Sequence, residues 1–388
     1  MTSHTSSTSP KILILARPDN SIVSEFGCAG LTGGYKILWY CPSHAEYWQY
    51  SDVTPVPGAT VYTFPFRWIP KLAPIIETLY LCYLIIKTQP ALIHVFMAEP
   101  RLYNLILHVC KPVIVTVMGA DIFHHQDRRL FLRDVLLNHA QYITSRSDFI
   151  DQTLLAIGNY RHKIQRNTWG VDCEKFRPGL PTQELHNQLE IPPQAPVFFS
   201  MRGCSRFYRH HIVIQAFARF LKQGYDNAFL IVNTWRGKQE YTEFLKLLAH
   251  QKKIASNVRF VNSIPRRQMP FYCNLATSAI SIPPSDGMPQ SLYETMACGC
   301  FHILGDLPQY KELVEHKSNG FYVTLDDPKT LANAMQWVVE HPENVRAAAE
   351  YNRKKILEIA DKHEQIRRFN ELYHNVIQKK NNLSIKNR

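Results

Sequence analysis

The sequence predicts an α/β protein made of two doubly wound, parallel-sheet domains, and three observations lead there. Short apolar runs rich in β-branched residues recur at 12–15, 92–96, 112–118, 197–201, 229–232, 258–261, 279–282 and 301–304. They are apolar on both faces, which suits the buried strands of a parallel sheet better than half-exposed antiparallel ones. Longer helical patterns separate them, the alternation expected of βαβ units. Finally, Pro178, Pro181, Pro192, Pro193 and Pro196 crowd one stretch, with a set of strand–helix repeats on either side. At 388 residues the chain also exceeds what one hydrophobic core usually serves. The expected divisions are 1–178, 179–342 and a helical 343–388, helical to about Gln378 and polar beyond.

Taken from the start, Met1–Pro10 is Ser/Thr-rich and lacks the basic and apolar regions of a signal peptide. Gly33–Gly34 stops a helix before a strand at Lys36–Cys41. In the greasiest region, the longest run free of charge and proline is Thr78–Ile86, far short of the roughly 20 residues that span a bilayer. Just before it, Tyr62–Lys71 interleaves aromatic and basic residues as interfacial segments do. The alternative is that these aromatics pack under the following helix. Nine scattered cysteines, an odd number, suit reduced thiols in the cytoplasm.

Of the net charge of +12, the last 46 residues carry +5. A basic balance suits anionic lipid or a phosphorylated substrate. Nucleic acid is disfavoured, because neither zinc-finger spacing nor an RNP-type motif is present.

The stretch Ser281–Cys300 carries the chemistry. A strand ends at Ile282, Pro283 and Pro284 stop it, and Ser285–Asp286–Gly287 turns the chain. Pro289 then opens a helix that runs to a glycine stop at Gly299. A helix N-terminus behind such a turn is an anion site. Leu292 and Met296 form its core stripe, whereas Ser291, Glu294 and Cys298 lie on another face. Glu294 is thereby placed to accept hydrogen bonds from a ribose diol. The alternative is that Asp286 merely caps the helix and Glu294 is a solvated surface residue.

Asp286, seven residues, Glu294, then Thr295–Met296–Ala297–Cys298–Gly299 resembles a motif of the family 4 retaining glycosyltransferases. Weaker likenesses follow in the family's order: Lys11–Leu15, Ala91–Val95, Val115–Asp121 with Met118 where His is common, and Thr168–Asp172. The resemblance implies the GT-B architecture, two facing Rossmann-like domains with C-terminal helices crossing back to brace the first. It implies a nucleotide-sugar donor on the second domain, and a sugar or lipid-linked acceptor on the first. No cofactor and no metal are implied, although the neighbours His124–His125 and His210–His211 raise the question. Asp286 and the amides of Gly287 and Met288 would face the donor sugar. The amides of Ser291 and Leu292 would hold the β-phosphate, and Glu294 the ribose. Arg202 follows the strand 197–201 and would clamp the pyrophosphate. The family's Lys position holds Tyr208, flanked by Arg206 and Arg209, either of which could replace the missing charge. Asp121 would act from the first domain. A nucleotide-sugar epimerase of the same fold, and a non-catalytic binding protein, remain the alternatives. Contact with the inner face of a membrane is a further expectation.

Overall fold

A computed structural model of the chain describes residues 9–17, 21–42, 57–65, 71–123 and 129–386. It divides into two compact units, residues 1–170 with 363–388, and residues 171–362. Each is built on one all-parallel sheet.

In the first unit the strands are Lys11–Leu15 (β1), Lys36–Cys41 (β2), Thr60–Thr63 (β3), Leu92–Phe96 (β4), Val113–Thr116 (β5), Tyr142–Ser145 (β6) and Ile164–Arg166 (β7). Their order is β3-β2-β1-β4-β5-β6-β7. Along β1, Leu13 and Leu15 enter one core while Ile12 and Ile14 enter the other. Alternating side chains thus bury both faces, as the unbroken apolar runs imply. The helix Lys362–Lys386 covers the second of these cores with Phe369, Tyr373 and Val376. Below it, buried His94 lies between the hydroxyls of Tyr373 and Thr116, each 2.7 Å from a ring nitrogen.

In the second unit the strands are Val197–Ser200 (β8), Phe229–Asn233 (β9), Val258–Val261 (β10), Ser278–Ser281 (β11), Phe301–Gly305 (β12) and Phe321–Val323 (β13), ordered β10-β9-β8-β11-β12-β13. Phe198 points into one core, Val197 and Phe199 into another.

Two details depart from the sequence reading. The chain leaves the first unit after Gly170, ahead of residue 178. The reason is local: Val171 bonds to Ala360 and Lys362, and Cys173 and Phe176 pack with Met296 and Tyr310. Only the last helix joins the first unit. The helix Pro342–Ile359, expected to brace the first domain, stays with the second. It buries Ala348 and Ile356 there, and its Asn352 side chain donates to the carbonyls of Cys300 and Asn319.

Among the described residues no helix is long and apolar enough to cross a membrane.

Candidate functional site

The second sheet reverses its winding between β8 and β11, and open α/β sheets bind ligands beyond the carboxyl ends of the strands at such a point. Arg202 follows β8 and Asp286 follows β11. Arg202 Nη1 donates to Asp286 Oδ2 at 2.8 Å, and Nη2 to the Tyr208 hydroxyl at 3.3 Å. Its guanidinium lies 4.6 Å from the centre of the Tyr208 ring, a cation–π distance. The Tyr310 hydroxyl donates to the same Oδ2 at 2.9 Å, and the Gly287 N–H to Oδ1 at 2.9 Å. Gln309 fixes the turn from below through the Asp286 carbonyl. The two charged side chains are only 12% and 10% exposed. Burial opposes the charge on Arg202 most strongly, but the Asp286 carboxylate together with the Tyr208 and Tyr310 hydroxyls outweighs it and raises the guanidinium's pKa above its ordinary value. Burial, then Asp286, pushes the Tyr310 phenol well up, so it stays a donor.

The next helix is Gln290–Ala297, with Pro289 as its extended N-cap and Gly299 leaving it in the left-handed region. Met288 also takes a left-handed φ of 62°, uncommon for a side chain of its size. Its buried side chain packs with Leu292 and Met296, which holds the turn. Two of the four amides expected to face the donor are already used. Gly287 N–H serves Asp286, and Leu292 N–H donates to the Pro289 carbonyl at 3.1 Å. Among the described residues, the N–H groups of Met288 and Ser291 meet no acceptor. Of the anion site expected from the sequence, those two amides and the positive end of the helix are what the local backbone leaves open.

Glu294 is not a solvated residue: it is 5% exposed and sits 2.8 Å from Arg266 Nη1. Arg266 comes from the loop after β10 and is 37% exposed.

The geometry separates Arg206 from Arg209. Exposed Arg206 lies over the rings of Tyr241 and Phe244, 5.3 Å from each centre. Arg209 has a φ of 55° and is held by both oxygens of Asp326, at 2.6 and 2.8 Å. Its third nitrogen reaches the Ile282 carbonyl, beside the β11 end. Arg209→Ala is therefore expected to lower kcat about tenfold or more, and Arg206→Ala by less than about twofold. Steady-state rates for the two variants check this, and equal losses would refute the separation. The histidine pair does not converge. His210 contacts Ser200 and the Gly203 carbonyl, whereas His211 contacts Tyr241. His124–His125 lie outside the described residues.

In the first unit the winding reverses between β1 and β4. Asp121 does not project freely here. Its carboxylate accepts the N–H groups of Ala98 (2.7 Å), Met118 (3.0 Å) and Gly119 (2.9 Å), tying the loop after β4 to the loop after β5. Burial raises its pKa although these bonds act the other way. Asp121 is thus a loop fastener. Among the described residues, Arg17, Glu99 and Arg101 bring charge to this switch point, with Glu99 paired to both arginines. Sequence reasoning passed over Glu99 and Arg101 because no motif contains them.

Residues 181–355 match the family described as glycosyl transferases group 1, and residues 11–147 the family described as glycosyl transferase 4-like. The chain is a glycosyltransferase, its second unit matching the group 1 glycosyl transferases and its first the 4-like family. No curated protein matches this glycosyltransferase in sequence. Solved structures match its fold, which is GT-B. A sucrose-phosphate synthase from Thermosynechococcus elongatus superposes with a TM-score of 0.79 at 16% identity, covering 95% of this chain and 100% of that one. Anabaena HepE in complex with UDP-glucose gives 0.78 at 16%, covering 94% and 99%. WaaG, a glycosyltransferase of lipopolysaccharide biosynthesis, gives 0.71 at 11%, covering 93% and 99%. In this glycosyltransferase, Tyr208 supports Arg202 with both its hydroxyl and its ring.

Proposed function

We propose that the protein moves a sugar from a nucleotide-sugar donor, with retention, to a sugar or lipid-linked acceptor in polysaccharide or glycolipid synthesis. The second unit takes the donor and the first the acceptor, on the cytoplasmic side of a membrane that the enzyme touches peripherally. The observation that carries this reading is the buried Arg202–Asp286 pair beside the Met288 and Ser291 amides at the second sheet's switch point. In the reaction the bond between the anomeric carbon and the diphosphate oxygen breaks as an acceptor hydroxyl oxygen bonds to that carbon, the hydroxyl's proton passes to the departing diphosphate, and negative charge gathers on that diphosphate. Arg202, Arg209 and the helix N-terminus supply fixed positive charge there, each such group contributing roughly 10²–10³ in rate. Asp286 holds Arg202, and Asp121 holds the loops of the first unit. The scheme calls on no metal or cofactor.

Incubation with radiolabelled UDP-, GDP- and dTDP-sugars, with and without EDTA, tests the reading through slow donor hydrolysis. UDP-sugars come first, because HepE binds UDP-glucose. One donor should be turned over, EDTA should change nothing, and the first-formed product should keep the donor's anomeric configuration by NMR. Silence with every donor would sink the proposal.

Glu294 is assigned to the ribose. Glu294→Gln keeps the buried shape but weakens a charge-assisted hydrogen bond by about 1.5–3 kcal/mol, so donor KM should rise at least about tenfold with kcat little changed. An unchanged KM with a lower Tm would make Glu294 only a partner of Arg266.

A further inference from the structure

The helix Ala73–Thr88 turns an apolar face outward. Leu72, at its N-cap, and Ile75, Leu79, Tyr83 and Ile86 are between 52% and 69% exposed. Their spacing of three and four residues puts them on one stripe, about 21 Å long at 1.5 Å per residue. The opposite face is fully occupied, with Leu81, Leu84 and Ile85 in the core. Soluble surfaces carry scattered apolar residues, but an unbroken stripe of large ones marks an interaction site. We propose that this helix docks the protein on an anionic lipid bilayer, lying in the headgroup plane with the stripe buried.

Charge selects the bilayer over a second copy of the chain. From Pro57 to Ala98 the only acidic residue is Glu77. It lies on the buried face, where it accepts a hydrogen bond from the Tyr40 hydroxyl at 3.1 Å, and so does not repel lipid phosphates. Exposed Lys71 and Lys87 flank the stripe, with Lys87 reaching over the Tyr83 ring. Basic ends around an apolar face, with a tyrosine at the rim, match an anionic interface. A symmetric pairing of two such helices would bring like charges together instead. The preceding aromatic stretch takes a supporting part. Phe64 is buried against Tyr80 of the same helix and Tyr62 packs on the same core, while Phe66–Pro70 lie outside the described residues.

The surface deepens the membrane contact proposed above, but its readout is binding and does not involve sugar transfer. The full-length protein is floated with vesicles of phosphatidylcholine alone, and with vesicles that also contain phosphatidylglycerol. Binding to the anionic vesicles, weakening with salt, is expected. The double variant L79E/I86E should lower the partition coefficient at least about 100-fold, while its melting temperature and donor hydrolysis stay at wild-type values. Failure of wild-type protein to bind either vesicle overturns the proposal, as does binding that L79E/I86E leaves intact. A concentration-dependent dimer by sedimentation velocity that L79E/I86E disperses, without vesicle binding, assigns the face to a second copy and overturns it too. Donor hydrolysis in the same preparations separates a failed docking surface from a failed transferase assignment.

Discussion

Arg202→Ala is expected to lower kcat by about 10²–10³, the weight of one preorganised donor at a site of developing charge. It should also lower the melting temperature, because the variant leaves Asp286 buried without its cation. Removing one partner of a fully buried pair costs about 3–5 kcal/mol, and the slight exposure of both groups argues for the lower end. The Tyr310 hydroxyl and the Gly287 amide still serve Asp286, which softens the loss further. Arg202→Lys separates the two effects. An ammonium keeps a charge near Asp286, but it cannot also reach Tyr208 with the fork of a guanidinium. Stability should return most of the way and kcat only in part. Asp286→Asn should leave Arg202 charged but less firmly aimed, so its kcat should fall less than that of Arg202→Ala. Thermal melts beside single-turnover rates check the set. An Arg202→Ala protein that melts early yet turns over donor at the full rate would leave the pair a purely structural feature.

What the sequence made visible follows from how each element is buried. Strands β1, β4, β5, β8, β9, β11 and β12 are sunk between helices, so their residues are apolar on both faces and stand out; the edge strand β10 is only partly buried and shows through Val258, Phe260 and Val261. Strands β3, β6, β7 and β13 were not visible. They are three or four residues long, and β3, β7 and β13 lie at sheet edges where burial is only partial. The site divides in the same way. Asp286 and Glu294 lie in one continuous motif, and Arg202 at the end of an obvious strand. The partners come from elsewhere: Tyr310 after β12 for Asp286, Arg266 after β10 for Glu294, and Asp326 after β13 for Arg209. Only the order of strands in the sheet brings these residues to the same edge, and no local pattern encodes that order. The partners of Asp121 were hidden for a different reason. A carboxylate just past a strand end can point to a ligand or turn back onto its own loop, and the three N–H groups around Asp121 settle it the second way.

The second large effect is loss of stability in mild acid, carried by three histidines that folding buries uncharged. Burial depresses His94 and His302 to about 3, and His210 to about 4, from an ordinary 6.5. Each ring sits against hydroxyl or carbonyl oxygens: His94 between Tyr373 and Thr116, His210 between Ser200 and Gly203, His302 beside Thr295. Between pH 6.5 and these depressed values the unfolded chain takes up protons that the folded chain refuses, so stability falls as pH falls. The slope approaches about 1.4 kcal/mol per histidine per pH unit. From pH 7 to pH 5 that amounts to about 2 kcal/mol for each, against a typical domain stability of about 5–15 kcal/mol. Carboxylates held low in the fold, such as Asp172, lose their contribution only below about pH 4, so the window belongs to the histidines. His210 and His302 lie in the second unit, together with the partly buried His211 and His316 whose pKa values burial also lowers, and His94 lies in the first, so the second unit should lose at least about twice as much. Calorimetry from pH 7 to pH 5 should show two transitions, one shifting down at least about twice as far in free energy as the other. His302→Gln, whatever its cost at pH 7, should remove up to about half of the steeper dependence. Melting that is flat across this range would mean that the rings accept protons in place.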